Sequence, residues 1–143
     1  MELITEGIVL FDVEATKKED VINALADAMA ADGRLVDRDQ YVADVLKREE
    51  EFSTSIGFGV ATPHAKADSV ATPSLGYARL ARPMTWDEDE VDTVFQIAVP
   101  LADAGERHLQ ILAQISRHLI HADFRERLAA AKTAAEVIAL VNE

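Results

Sequence analysis

The chain has 143 residues, 49% of them hydrophobic, which suits a single domain with a sizeable core. Its 26 acidic and 14 basic residues leave a formal charge of −12. That charge repels a phosphate backbone and argues against nucleic-acid binding, while a basic protein partner and simple solubility both accommodate it. There is no cysteine, so disulfides and thiolate metal sites are excluded, and a reducing cytoplasm fits. The start, Met1-Glu2-Leu3-Ile4-Thr5-Glu6, has no basic region followed by an apolar stretch, so no signal peptide is expected. No apolar run approaches membrane-spanning length.

Ile8-Val9-Leu10-Phe11 is apolar and partly β-branched, which predicts a strand. Thr16 offers an N-cap, with Glu19 completing a capping box. Val21, Ile22, Leu25, Ala28 and Met29 follow at helical spacing, and Gly33 marks the stop. A second helix begins near Asp37 or Asp39, buries Tyr41, Val42, Val45 and Leu46, and runs out around residues 49–52. Ser53-Thr54-Ser55 reads as a turn, and residues 57–62 as a short strand that Pro63 ends.

Residues 75–80 and 91–99 are further strands. The second is apolar on both faces, as expected of a central strand covered on two sides. The acidic run Asp87-Glu88-Asp89-Glu90 before it reads as a solvated loop, which could also attract a basic partner, and Trp86 as a packing anchor. From about Gly105 the pattern turns helical, with a stripe of Leu109, Leu112, Ala113, Ser116, Leu119 and Ile120. Residues 123–130 and 133–141 form two more helices, the last with Ala134, Val137, Ile138 and Val141 on one face. This order predicts an α/β fold, a mixed sheet sandwiched by helices on both faces, with residues 1–143 as one domain.

Chemistry concentrates between Arg48 and Lys66. His64 lies just past the strand at 57–62, where an α/β sheet places its ligand crevice, and Pro63 restricts its approach. Gly57 and Gly59 allow close backbone approach; Arg48, Ser53, Thr54 and Ser55 offer donors to anionic oxygens. A neutral imidazole has one ring nitrogen with a lone pair for phosphorus, while the other can donate to a backbone carbonyl. On geometry alone a single His after a strand is more often a surface or cap residue, Arg48 reads also as one half of a surface ion pair, and the glycines as bulge residues. His118 and His121 are three apart on a helix and are read as solvent-exposed in preference to metal-ligating.

The linear pattern narrows the choice. Arg48-Glu49, Ser53-Thr54 and Ile56-Gly57-Phe58-Gly59-Val60-Ala61-Thr62-Pro63-His64 together resemble the signature of the fructose/mannitol (type 2) enzyme IIA of the sugar phosphotransferase system. His108-Leu109-Gln110-Ile111-Leu112-Ala113 is similar to that family's second histidine motif, and the resemblance runs from Ile4 to Val141. It implies a phosphohistidine phosphotransferase. His64 would accept phosphate from phospho-HPr, favouring Nε2, and pass it to a cysteine of enzyme IIB, with the membrane enzyme IIC downstream. No metal or cofactor is implied. Arg48 would be the cation at the phosphoryl group and in the partner contact, and His108 the support for the phosphoryl oxygens, with Ser53, Thr54 and Gly59 as further binding residues. Pro63-His64-Ala65-Lys66 leans to the fructose branch. The alternatives are a nitrogen-type regulatory enzyme IIA, a binding module without phosphorylation, and a metal-dependent hydrolase. Phe58 departs from the usual polar residue of the pattern and Thr62 from the usual aliphatic one.

Overall fold

The computed structural model describes residues 1–103 and 106–143. After a 3-10 turn at Glu6–Ile8 come strand β1 (Val9–Val13), helices α1 (Lys18–Ala31) and α2 (Arg38–Glu51), and strands β2 (Ser55–Gly57), β3 (Val60–Ala61) and β4 (His64–Ala67). Then follow β5 (Ser74–Trp86), β6 (Asp89–Pro100) and helices α3 (Arg107–Leu119), α4 (Ala122–Ala130) and α5 (Ala134–Val141). Among the described residues no helix is long and apolar enough to cross a membrane.

The strands form one sheet in the order β1-β5-β6-β3-β2, with β4 also paired to β6. β1 runs parallel to β5, β5 antiparallel to β6, and β3 and β4 both parallel to β6, so the sheet is mixed as expected. Alternation along β6 sends Val94 and Ala98 to one face and Phe95, Ile97 and Val99 to the other. The first face packs on Ile22, Leu25, Met29, Tyr41 and Val45 of α1 and α2. The second packs on Ile111, Ile115, Phe124, Leu128 and Val137 of α3 to α5. Each fully buried large side chain contributes about 1.5–3 kcal/mol, so both faces of β6 stabilise the sheet that carries the site.

Several local expectations are corrected. Helix α1 starts one turn position later than Thr16 allows: Lys17 is its N-cap, and the carboxylate of Asp20, not Glu19, accepts from the backbone N–H of Thr16 (3.0 Å) and Lys17 (3.2 Å). Residues 57–62 are not one strand. Gly57, Phe58 and Gly59 all have positive φ (88°, 58° and 74°), which folds the stretch into the β2–β3 hairpin. β5 continues six residues beyond Leu80, past a register irregularity between Arg79 and Met84 that accommodates Pro83. Of the acidic run, Asp89 and Glu90 pair with Trp86 and Thr85, leaving Asp87 and Glu88 as the turn. On α3 the buried stripe is Ile111, Ile115 and Leu119, while Leu109 and Ile120 are exposed; the helix is rotated from the expected face. The expected start near Gly105 lies outside the described residues.

The remaining caps match their residue types. Asp37 accepts from the Gln40 N–H at 3.1 Å, and Thr133 from that of Glu136 at 3.2 Å. Gly33, at φ 75°, follows the end of α1. Trp86 is fully buried, as a packing anchor should be.

Candidate active site

β3 and β4 lie along the same edge of β6 in one register, Ala61 opposite Val94 and His64 opposite Ile97. Pro63 sits between them. It has no N–H to donate, but its carbonyl accepts from the Ile97 N–H at 3.0 Å, so the chain stays on the sheet while the pairing is interrupted. His64 is therefore the first residue of a strand and not a residue just past one.

The Nδ1 of His64 lies 2.9 Å from the carbonyl oxygen of Thr62. A carbonyl can only accept, so Nδ1 carries the hydrogen, and in the neutral ring Nε2 keeps its lone pair. His64 is 9% exposed. Its ring lies 6.2 Å from that of His108, at an interplanar angle of 30°. His108 comes from the first turn of α3, where helix N–H groups favour an anion. Its Nδ1 is buried with no hydrogen-bond partner among the described residues.

The two imidazoles line a cavity of about 340 Å³ with Arg48, Lys47 and Lys66 and the acidic Asp44 and Glu51. Three basic side chains in one wall set contrast with a chain of net charge −12. Arg48, in the last turn of α2, donates from Nη1 to the Phe52 carbonyl at 3.3 Å and forms no ion pair among the described residues. The surface ion-pair reading of Arg48 is not seen.

Burial holds His64 below the ordinary imidazole value, opposed by the Thr62 hydrogen bond and reinforced by the nearby charges of Arg48 and His108. Burial also lowers His108, with Lys66 adding to it. Protonation occupies the lone pair that attacks phosphorus. Phosphate acceptance is therefore expected to stay level as pH falls from about 8 to 6.5, and to drop only below that. The unfolded chain takes up these protons first, so stability is fully present above about 6.5 and is lost as pH falls through the lowered folded values. A rate profile with its inflection at or above 6.5 would contradict the assignment of His64 as a buried neutral base.

The other expected binding residues fall elsewhere. Thr54 is buried and spends its hydroxyl and N–H on the Glu49 carboxylate. Ser53 is exposed, its hydroxyl accepting from the Ser55 N–H and lying beside Asp87. Gly59 is in the hairpin turn, where an added Cβ would meet the Asp92 carboxylate at 3.1 Å. None of the three lines the cavity. Phe58 packs its ring 4.5 Å from the Arg125 guanidinium, and His118 stacks on Phe124.

Apart from Arg48, sequence reasoning missed the cavity walls. The signal was present: Asp44, Lys47, Arg48 and Glu51 are spaced i, i+3, i+4, i+7 on one face of α2, and Lys66 shares the strand face of His64.

The model of the family "Phosphoenolpyruvate-dependent sugar phosphotransferase system, EIIA 2" matches residues 2–143, and the chain belongs to that family. It is 42% identical to the PTS system fructose-specific EIIA component of Haloferax volcanii, over 96% of this chain and 92% of that protein. It is 32% identical to the PTS system fructose-specific EIIABC component of Bacillus subtilis, over 99% of this chain but 23% of that larger protein. Among solved structures, the nitrogen regulatory protein IIA-Ntr of Neisseria meningitidis superposes with a TM-score of 0.88 at 22% identity, covering 97% of this chain and 96% of that one. The enzyme IIA from the mannitol IIA–phosphorylated IIB complex of Escherichia coli gives 0.82 at 21% identity, covering 98% and 99%. Both structures share the fold.

Proposed function

We propose that this chain is a phosphoryl carrier of a phosphoenolpyruvate-dependent sugar phosphotransferase system, accepting phosphate on His64 from phospho-HPr and donating it to enzyme IIB. One observation carries the reading: an imidazole whose Nδ1 is tied to a carbonyl lines a cavity together with a second imidazole and three basic side chains.

The Nε2 lone pair attacks phosphorus, the P–N bond to the donor histidine breaks, and its electron pair returns to the donor ring. The proton on Nδ1 stays in place, so no general base is needed. As phosphorylation draws electrons from the ring, the Nδ1–H becomes a stronger donor and the Thr62 carbonyl stabilises it. Arg48 and the second imidazole stabilise the phosphoryl oxygens, and onward transfer reverses the bond changes.

Family membership and the 42% identity to a fructose-specific component support transport of a fructose-type sugar. Cytoplasmic placement and a single domain over residues 1–143 belong to the same reading, with enzyme IIC completing the route in the membrane. A pulse of labelled phosphoenolpyruvate with enzyme I and HPr, chased with a fructose-specific enzyme IIB, is expected to load this chain and then empty it onto the IIB cysteine. Loading without discharge to enzyme IIB would overturn the transport reading and favour a regulatory output.

His108→Ala removes one hydrogen-bonding group facing the phosphoryl oxygens. Phosphorylation should persist, with transfer slowed about tenfold, the equivalent of one hydrogen bond to a charged group. Unchanged single-turnover rates would assign His108 to packing alone.

A further inference from the structure

Glu49 neighbours Arg48 on α2 but faces the interior, its side chain 1% exposed. A carboxylate there is costly unless its oxygens are satisfied. One oxygen accepts from the Thr54 N–H at 3.1 Å and the Trp86 indole N–H at 3.2 Å, and the other from the Thr54 hydroxyl. Lys18 lies 3.5 Å away and also bridges to Asp87. The chain of bonds continues toward the cavity. The Thr54 carbonyl accepts from the Thr62 N–H at 2.9 Å and the Thr62 hydroxyl at 3.3 Å. The Thr62 carbonyl accepts from His64 Nδ1 at 2.9 Å.

We propose that Glu49 is a positioning residue for His64, acting through Thr54 and Thr62 to fix the imidazole tautomer and aim Nε2 into the cavity. Two consecutive residues of α2 then serve opposite sides of one ring. Arg48 meets the phosphoryl side, and Glu49 anchors the backbone carbonyl on the other. Thr62 is the adjustable link. A valine there would keep the shape and the backbone bond but lose the hydroxyl tie to Thr54. The inference rests on the carrier reading for its consequence in rate, but not for its effect on the tautomer.

The test compares wild type, Glu49→Gln, Thr62→Val and Thr62→Ser, each labelled with 15N in histidine. Two readouts are taken: the His64 tautomer by two-bond proton–nitrogen correlation, and the single-turnover rate with phospho-HPr. Wild type is expected to hold the Nδ1–H form. Glu49→Gln removes the charge and turns the Thr54 hydroxyl from donor to acceptor, which loosens the anchor, and should mix the two tautomers and lower the saturating rate about tenfold with the half-saturating donor concentration unchanged. Thr62→Val should move both readouts in the same direction by less, and Thr62→Ser should restore them. Wild-type tautomer and rate in the folded Glu49→Gln and Thr62→Val proteins would overturn the proposal. If Glu49→Gln does not fold, the same result in Thr62→Val alone overturns it. If wild type takes no phosphate, the carrier reading fails, while the tautomer comparison still decides the role of Glu49.

Discussion

His64→Ala is expected to abolish phosphate acceptance from phospho-HPr completely while leaving the protein folded. No other side chain that lines the cavity shows this arrangement among the described residues: His108 Nδ1 has no hydrogen-bond partner there, and the lysines and Arg48 offer no imidazole nitrogen. The fold should survive because His64 contributes to the sheet through its backbone. β4 pairs with β6 from His64 to Ala67, and alanine keeps those bonds. The two large cores lie above and below this edge and do not include the imidazole. Labelling and a thermal melt of the same preparation check both halves. Residual stoichiometric labelling would move the acceptor to another residue, and a collapsed melt would make His64 a structural histidine.

The second large effect is expected at Arg48. The transferred group carries its charge on three equatorial oxygens, and catalysis consists largely of positioning and charge stabilisation. Arg48 is a planar cation at the cavity wall, with one nitrogen committed to the Phe52 carbonyl and the rest of its fork available to phosphoryl oxygens. Loss of one such donor costs about 10²- to 10³-fold in comparable oxyanion sites. Arg48→Ala should therefore slow single-turnover transfer by about 10²-fold at saturating phospho-HPr. Arg48→Lys should recover only part of that, since an ammonium keeps the charge but not the fork. A drop confined to the half-saturating donor concentration would assign Arg48 to docking. Equal rates for all three proteins would return it to the protein surface.

Much of this architecture was legible in the chain, for reasons that can be stated residue by residue. Asp37 as a cap, Gly33 as a stop and the doubly apolar run of β6 are local signals backed by the tertiary fold. His64 and Arg48 stood out by their residue chemistry, their roles and that of His108 came from the resemblance to the family's motifs, and the structure brings all three to one cavity. What was hidden depends on backbone conformation or on distant partners. The hairpin at Gly57 to Gly59 places Phe58 at φ 58°, a conformation its residue type disfavours, so an extended reading was the natural one. The strand expected at 75–80 runs on to Trp86, past Pro83, because a register irregularity between Arg79 and Met84 absorbs the residue that cannot donate to the ladder. Glu49 is one of three consecutive glutamates, and the approach of Thr54 and of the distant Trp86 makes it an interior carboxylate. The Thr62 carbonyl that sets the histidine tautomer has no side-chain signature at all.

The acidic composition also acquires a local meaning. In a chain with 26 acidic and 14 basic residues, the cavity around the two imidazoles is lined by three basic side chains and only two acidic ones, a local balance that favours an incoming phosphoryl group.

The most direct measurement is the nitrogen–phosphorus coupling in 15N-histidine protein that has been incubated with phosphoenolpyruvate, enzyme I and HPr. The account predicts one acid-labile phosphoryl group, coupled to Nε2 of His64, with the proton still on Nδ1. Phosphate on Nδ1, on His108 or on any other residue would contradict it.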